Sequence, residues 1–129
     1  MQYVRTPFSL QSKGHYSSAV IHGDLVYISG QLPINYAAGE TVPTGGVAEQ
    51  ARQALQNLDS LLEQCGSSKQ QVIKTTVYIP DITSWPIVNE VYAEFFGDHK
   101  PARTIVPTNT LHFNALIEIE AIATKTSPI

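Results

Sequence analysis

Apolar positions along the chain follow two periods, and the switches between them mark out the elements. Ser18-Ala19-Val20-Ile21 and Leu25-Val26-Tyr27-Ile28-Ser29 are β-branched and aromatic runs around His22-Gly23-Asp24, a turn signal, and predict a hairpin. Gly30 is expected to end the second strand, and Gln31 to Gly45, with Pro33, Gly39 and Pro43, reads as a long loop. The period then lengthens. Val47, Ala51, Ala54, Leu55, Leu58, Leu61, Leu62 and Cys65 recur at helical spacing and give a helix over Val47 to Cys65 one apolar face. Gly45-Gly46 leads into it, Glu49 suits its first turn, and Gly66 supplies the stop. Val72 to Ile79 is rich in β-branched residues and predicts a strand halted by Pro80. A second helix is expected from Ser84 to Phe96, with Asp81 or Thr83 as cap, Pro86 in its first turn and Gly97 at its end. Val88, Val91, Tyr92, Phe95 and Phe96 form its apolar face. Arg103-Thr104-Ile105-Val106 and Leu116 through Thr124 close the chain as strands. With a short strand near Gln2 to Arg5 the order is β-β-β-α-β-α-β-β. That pattern predicts one α+β domain over residues 1–129, its two helices packed on one sheet face.

Composition narrows the class. Hydrophobic residues make up 43% and charged residues 15% of the 129, enough to build a core and too apolar for a disordered chain. No apolar run approaches the ~18 residues of a membrane span. The opening from Met1 to Lys13 lacks the apolar stretch of a secretory signal, so a cytosolic protein is expected. Net charge is −3, and Arg5, Lys13, Arg52, Lys69, Lys74, Lys100, Arg103 and Lys125 form no run. Nucleic acid is therefore a poor candidate partner, since its binders gather cations along the phosphates. Cys65, the single cysteine, excludes an intrachain disulfide and suits a buried thiol at the end of an apolar face.

Few groups offer chemistry. His15, His22, His99 and His112 lack metal-ligand spacing and read as surface or turn residues, and no glycine loop fits a phosphate. Two features remain. Arg103 opens a strand just after Pro101-Ala102, and Glu118 and Glu120 alternate with Ile117, Ile119, Ala121 and Ala123. The pattern alone admits a solvated polar face as well as an arginine and a carboxylate meeting in a cleft.

Gly14-His15-Tyr16-Ser17, Tyr27-Ile28-Ser29-Gly30-Gln31, Asn89-Glu90-Val91-Tyr92, His99-Lys100-Pro101-Ala102-Arg103 and Ile117-Glu118-Ile119-Glu120-Ala121-Ile122-Ala123 stand in this order. As an ordered set, with 15 residues from Arg103 to Glu118, they resemble the signatures of the RidA (YjgF) family across nearly the whole chain. The resemblance implies a chorismate-mutase-like α+β subunit with a mixed sheet, assembled as a homotrimer around a central barrel with clefts between subunits. It also implies a cofactor-free, metal-free deaminase that hydrolyses 2-iminobutyrate, 2-iminopropionate and related imines or enamines to 2-oxo acids and ammonia. Arg103 would bind the substrate carboxylate, a task that suits a forked, permanently charged guanidinium. Glu118 would activate the attacking water. Tyr16, Ser29 and Asn89 match further pocket positions, although each also has a plain structural reading: strand-edge packing, turn former and exposed helix position.

The chain departs from the family pattern at several places. His15 stands where proline is common, and Ile105 where a cysteine is common, making that wall of the pocket bulkier and more apolar. Pro107 replaces a frequent glutamate and calls for an edge strand or bulge. Leu111-His112-Phe113-Asn114 replaces Leu-Pro-x-Gly, with Asn114 able to take the left-handed turn. Two other functions compete with the deaminase: an endoribonuclease or translation inhibitor, and a non-catalytic binder of small carboxylates.

Overall fold

A computed structural model of the protein describes residues 1–6 and 14–126. Its strands are β1 (Gln2–Val4), β2 (Ala19–His22), β3 (Leu25–Gln31), β4 (Val72–Ile79), β5 (Ala102–Pro107) and β6 (Glu118–Thr124). Its α-helices are α1 (Val47–Gln64) and α2 (Trp85–Phe96). The strands form one mixed sheet in the order β1-β2-β3-β6-β4-β5. Only β4 and β5 run parallel, because α2 carries the chain back between them; every other pair is antiparallel.

Alternation along each strand divides the sheet into two unlike faces. Val26, Ile28, Thr75, Val77, Ile79, Ile119, Ala121 and Ala123 are buried on the face covered by the helices. Onto it α1 lays Ala51, Ala54, Leu55, Leu58, Leu61 and Leu62, and α2 lays Val88, Val91, Tyr92 and Phe96. Each fully buried leucine or valine contributes about 1.5–3 kcal/mol. Among the described residues no helix covers the opposite face. It presents Tyr3, Tyr27, Tyr78, Glu118, Glu120 and Ile122, with Tyr3 63% and Tyr27 43% exposed.

The hairpin, α1, β4 and the single α+β domain stand as the periodicity predicts, and Cys65 is buried. α1 ends in a Schellman motif: Ser67 N–H bonds to Leu62 O at 2.9 Å and Gly66, at φ 77°, bonds to Glu63 O at 3.1 Å. β3 differs from expectation. It runs through Gly30 to Gln31, with its register against β6 shifting between Ile28 and Gln31, so the glycine marks a bulge rather than an end. α2 starts at Trp85, and Asp81 caps the 3-10 turn ahead of it by accepting from Thr83 N–H at 2.9 Å. β6 begins at Glu118 rather than Leu116, because Phe113 and Asn114 turn the chain at φ 58° and 54°. Pro107 lies at the end of β5, an outer strand of the sheet. His99 is not a plain surface residue: its Nε2 pairs with Val72 O at 2.8 Å and its ring meets Phe96 edge-on. Among the described residues no helix is long and apolar enough to cross a membrane.

Candidate active site

Arg103 sits near the start of β5, opposite Thr75 of β4 in parallel register. Thr75 is buried beneath the helices, so Arg103 points to the helix side of the sheet. There α2 receives it. Asn89 Oδ1 accepts from Arg103 Nη1 at 2.9 Å, and the guanidinium lies 4.9 Å from the Tyr92 ring centre and 5.7 Å from that of Trp85. Positions 85, 89 and 92 fall on one side of the helix at i, i+4 and i+7, which is why these three reach one side chain. Tyr92 is anchored in turn by a 2.8 Å bond between its hydroxyl and that of Thr75. Burial pushes its phenol up, against the pull of Thr75 and Arg103. Among the described residues no carboxylate pairs with Arg103. Ile105, two residues on, packs against the core from the same side.

Glu118 belongs to a second group. It lies opposite Tyr78 on β4, and alternation puts both on the uncovered face of the sheet. Its carboxyl group rests over Gly30, where an added Cβ would come within 3.0 Å of Cδ and onto a carboxyl oxygen. Burial first, then the neighbouring Glu120, push the Glu118 carboxyl above its ordinary value, with His112 pulling it down. Ser29, next to Gly30, donates from Oγ to Ser17 O at 2.6 Å and so ties β3 to the segment that carries Tyr16. Tyr16 is 40% exposed. Burial and the Tyr16 phenol together push Tyr36 up to about 12.

The structure thus sorts the six expected site residues into two groups. Arg103, Asn89 and Ile105 gather on the helix side at the β5 edge. Ser29 and Glu118 lie at the β3–β6 bulge on the open side, and Tyr16 stands on the segment that Ser29 holds through Ser17, with Tyr36 for a neighbour. Arg103 and Glu118 lie on opposite faces of one sheet and do not meet within a chain. Sequence reasoning missed Trp85 and Tyr92 as stacking partners of Arg103, although their helical spacing with Asn89 was legible. It also missed Gly30 as the floor under Glu118, and the pairing of Tyr78 with Glu120, for which no local signal exists. Among the described residues no cluster of His, Cys, Asp or Glu could hold a metal ion.

A single α+β domain with a mixed sheet and two helices also describes a set of known proteins. The profile of the endoribonuclease L-PSP family matches residues 6–125. A RutC family protein of Pyrococcus horikoshii is 47% identical over 112 residues, 87% of this chain and 88% of its own. The human 2-iminobutanoate/2-iminopropanoate deaminase is 42% identical over 110 residues, covering 85% and 80%. The E. coli YjgF structure superposes with a TM-score of 0.88 at 35% identity, over 98% of this chain and all of that one. E. coli TdcF with bound serine gives 0.82 at 36% identity, covering 89% and 91%. The chain belongs to this family, the RidA family of proteins.

Proposed function

We propose that the protein is a cofactor-independent deaminase that hydrolyses reactive 2-imino acids and their enamine tautomers, such as 2-iminobutyrate and 2-iminopropionate, to 2-oxo acids and ammonia. The observation that carries this reading is the Arg103 guanidinium, braced by Asn89, Trp85 and Tyr92 and, among the described residues, left without a carboxylate partner. A braced, unneutralised fork is a receptor for a carboxylate. Support comes from relatives at 42–43% identity that carry the deaminase name, and from the related E. coli protein that holds serine, itself a small carboxylate.

The imine carbon is already electrophilic, so the protein has to hold it and deliver water. Arg103 takes the carboxylate and fixes the imine carbon in place. Glu118, its proton affinity raised by burial, accepts a proton as the water oxygen bonds to that carbon, and returns it to nitrogen. The hydroxyl proton of the resulting carbinolamine then passes to its nitrogen as the C–N bond breaks, releasing ammonia and leaving the 2-oxo acid. Water enters, no electrons change hands, and no redox group is called for. Because Arg103 and Glu118 occupy opposite faces of the sheet, the reading places the site between two subunits of a homotrimer. The open sheet face, with Tyr3 and Tyr27, would turn inward there as the barrel wall.

The family's endoribonuclease name is the observation behind a second reading. A net charge of −3 and two glutamates on the open face set the field against a polyanion, and the imine reading accounts for the isolated arginine better. The test is to generate 2-iminobutyrate with a threonine dehydratase, trap it with semicarbazide, and measure how far the protein suppresses the trapped product. Wild type is expected to suppress it, and Arg103→Ala to lose about 10²-fold or more in kcat/KM, the worth of a charge-assisted bidentate contact. No suppression by a folded wild-type assembly would sink the deaminase. Binding of 2-oxo acids without turnover would then favour a carboxylate-binding regulator, and cleavage of added RNA would favour the ribonuclease.

A further inference from the structure

Two glutamates share the open face of β6, two residues apart, and the fold treats them differently. Glu120 Oε1 accepts a 2.6 Å hydrogen bond from the Tyr78 hydroxyl. Glu118 accepts none from any described residue; its carboxyl lies over Gly30, in the room left by a missing side chain. Tyr78 is also the direct cross-strand partner of Glu118, so its ring stands beside one carboxylate while its hydroxyl is committed to the other. The geometry points to Tyr78 as a positioning residue: by fastening Glu120 it leaves Glu118 as the one carboxylate at the site able to take the proton of the attacking water.

This assignment rests on the deaminase reading for what Glu118 does, but the sorting of the two carboxylates stands on the contacts alone. A pair of like groups is useful when their surroundings separate their roles. Here the charge of the fastened Glu120, added to burial, raises the Glu118 carboxyl and makes it the stronger base. The other charged or titratable groups around Glu118 are few. Tyr78 comes from β4, where Lys74 is committed to Thr104 Oγ1 at 3.2 Å, and His112 comes from the turn before β6. From β3 the nearest residues, Ser29 and Gly30, bring no charge. Tyr78 itself is pushed up by its bond to Glu120, by burial and by both glutamates, so it stays a donor through the working range.

The experiment follows the side-chain carboxyl carbons by NMR as pH is varied, in protein labelled with carbon-13 at glutamate. Glu118→Gln assigns the signal, and the pH dependence of kcat/KM for 2-iminobutyrate is recorded in parallel. Glu120→Gln removes the charge that raises Glu118, so the Glu118 midpoint and the acid limb of the rate profile are both expected to move to lower pH. Tyr78→Phe keeps the ring and unfastens Glu120. Glu120 is then free to turn away from Glu118, and the Glu118 titration is expected to shift the same way by less. A merely structural role for Tyr78 would lower the plateau rate or the melting temperature and leave both midpoints in place. That outcome, or an unmoved Glu118 midpoint in Glu120→Gln, overturns the assignment. Shifted titrations in a protein with no imine hydrolysis would keep the sorting of the glutamates and remove the deaminase instead.

Discussion

Glu118 occupies its place over β3 because residue 30 has no side chain. The atom a Gly30→Ala methyl would strike first is a carboxyl oxygen, the mobile end of a flexible side chain, and not backbone. Glu118 can swing aside at little cost to the fold. The substitution is therefore expected to leave thermal stability within the range of ordinary surface changes, about 0.5 kcal/mol. It should cut kcat by about 10²-fold or more with KM little changed, since the proposed mechanism has the carboxylate act on water and Arg103 on the substrate. A KM effect with kcat intact would detach Glu118 from the chemistry. Legibility differed between the two groups at this scale. Arg103 and Glu118 could be singled out because charged side chains opening or alternating within apolar strands need a reason. Gly30 looked like a strand end, because a bulge and a stop share the same residue and only the register with β6 tells them apart.

Between elements, the contact that matters most for the arginine is one it does not make. Thr75 of β4 and Tyr92 of α2 join hydroxyls at 2.8 Å inside the core, and Tyr92 presents its ring face to Arg103. Sheet, helix and guanidinium are thus stacked in series. Thr75→Val preserves shape and strands the buried Tyr92 hydroxyl, which should cost about 1–3 kcal/mol. Urea unfolding would show this as a lower midpoint at constant slope. An unchanged midpoint would mean that the phenol finds another partner. A threonine in a run of β-branched residues gave the sequence reader a strand and nothing more, because a partner 17 positions away on another element has no local signature. The elements themselves were legible wherever one face is apolar and one polar, as in α1 and β6. Boundaries slipped where a turn was made by residues that do not advertise it, as with Phe113 at φ 58°.

For the whole molecule, the sheet separates the two groups of site residues and makes a prediction that a single-chain site would not. Arg103→Ala and Glu118→Gln each remove one of the two groups the proposed reaction requires, and each should be inactive alone. Co-expressed or refolded together, the two variants should regain activity. In the proposed closed symmetric trimer every site would take its arginine from one subunit and its glutamate from a neighbour. Equal random mixing then leaves about a quarter of the sites with both wild-type residues. Physical mixing without subunit exchange should restore nothing, which separates true shared sites from contamination. Mass spectrometry of the intact assembly would establish that mixed trimers had formed. If they form and stay inactive, Arg103 and Glu118 serve no common site, and the carboxylate held at Arg103 is not attacked by water from Glu118. If about a quarter of wild-type activity returns, the half-sites on opposite faces of each subunit complete one another across the interface. The carboxylate on the uncovered face of one copy then has its counterpart, the β5 edge of the next copy that carries Arg103.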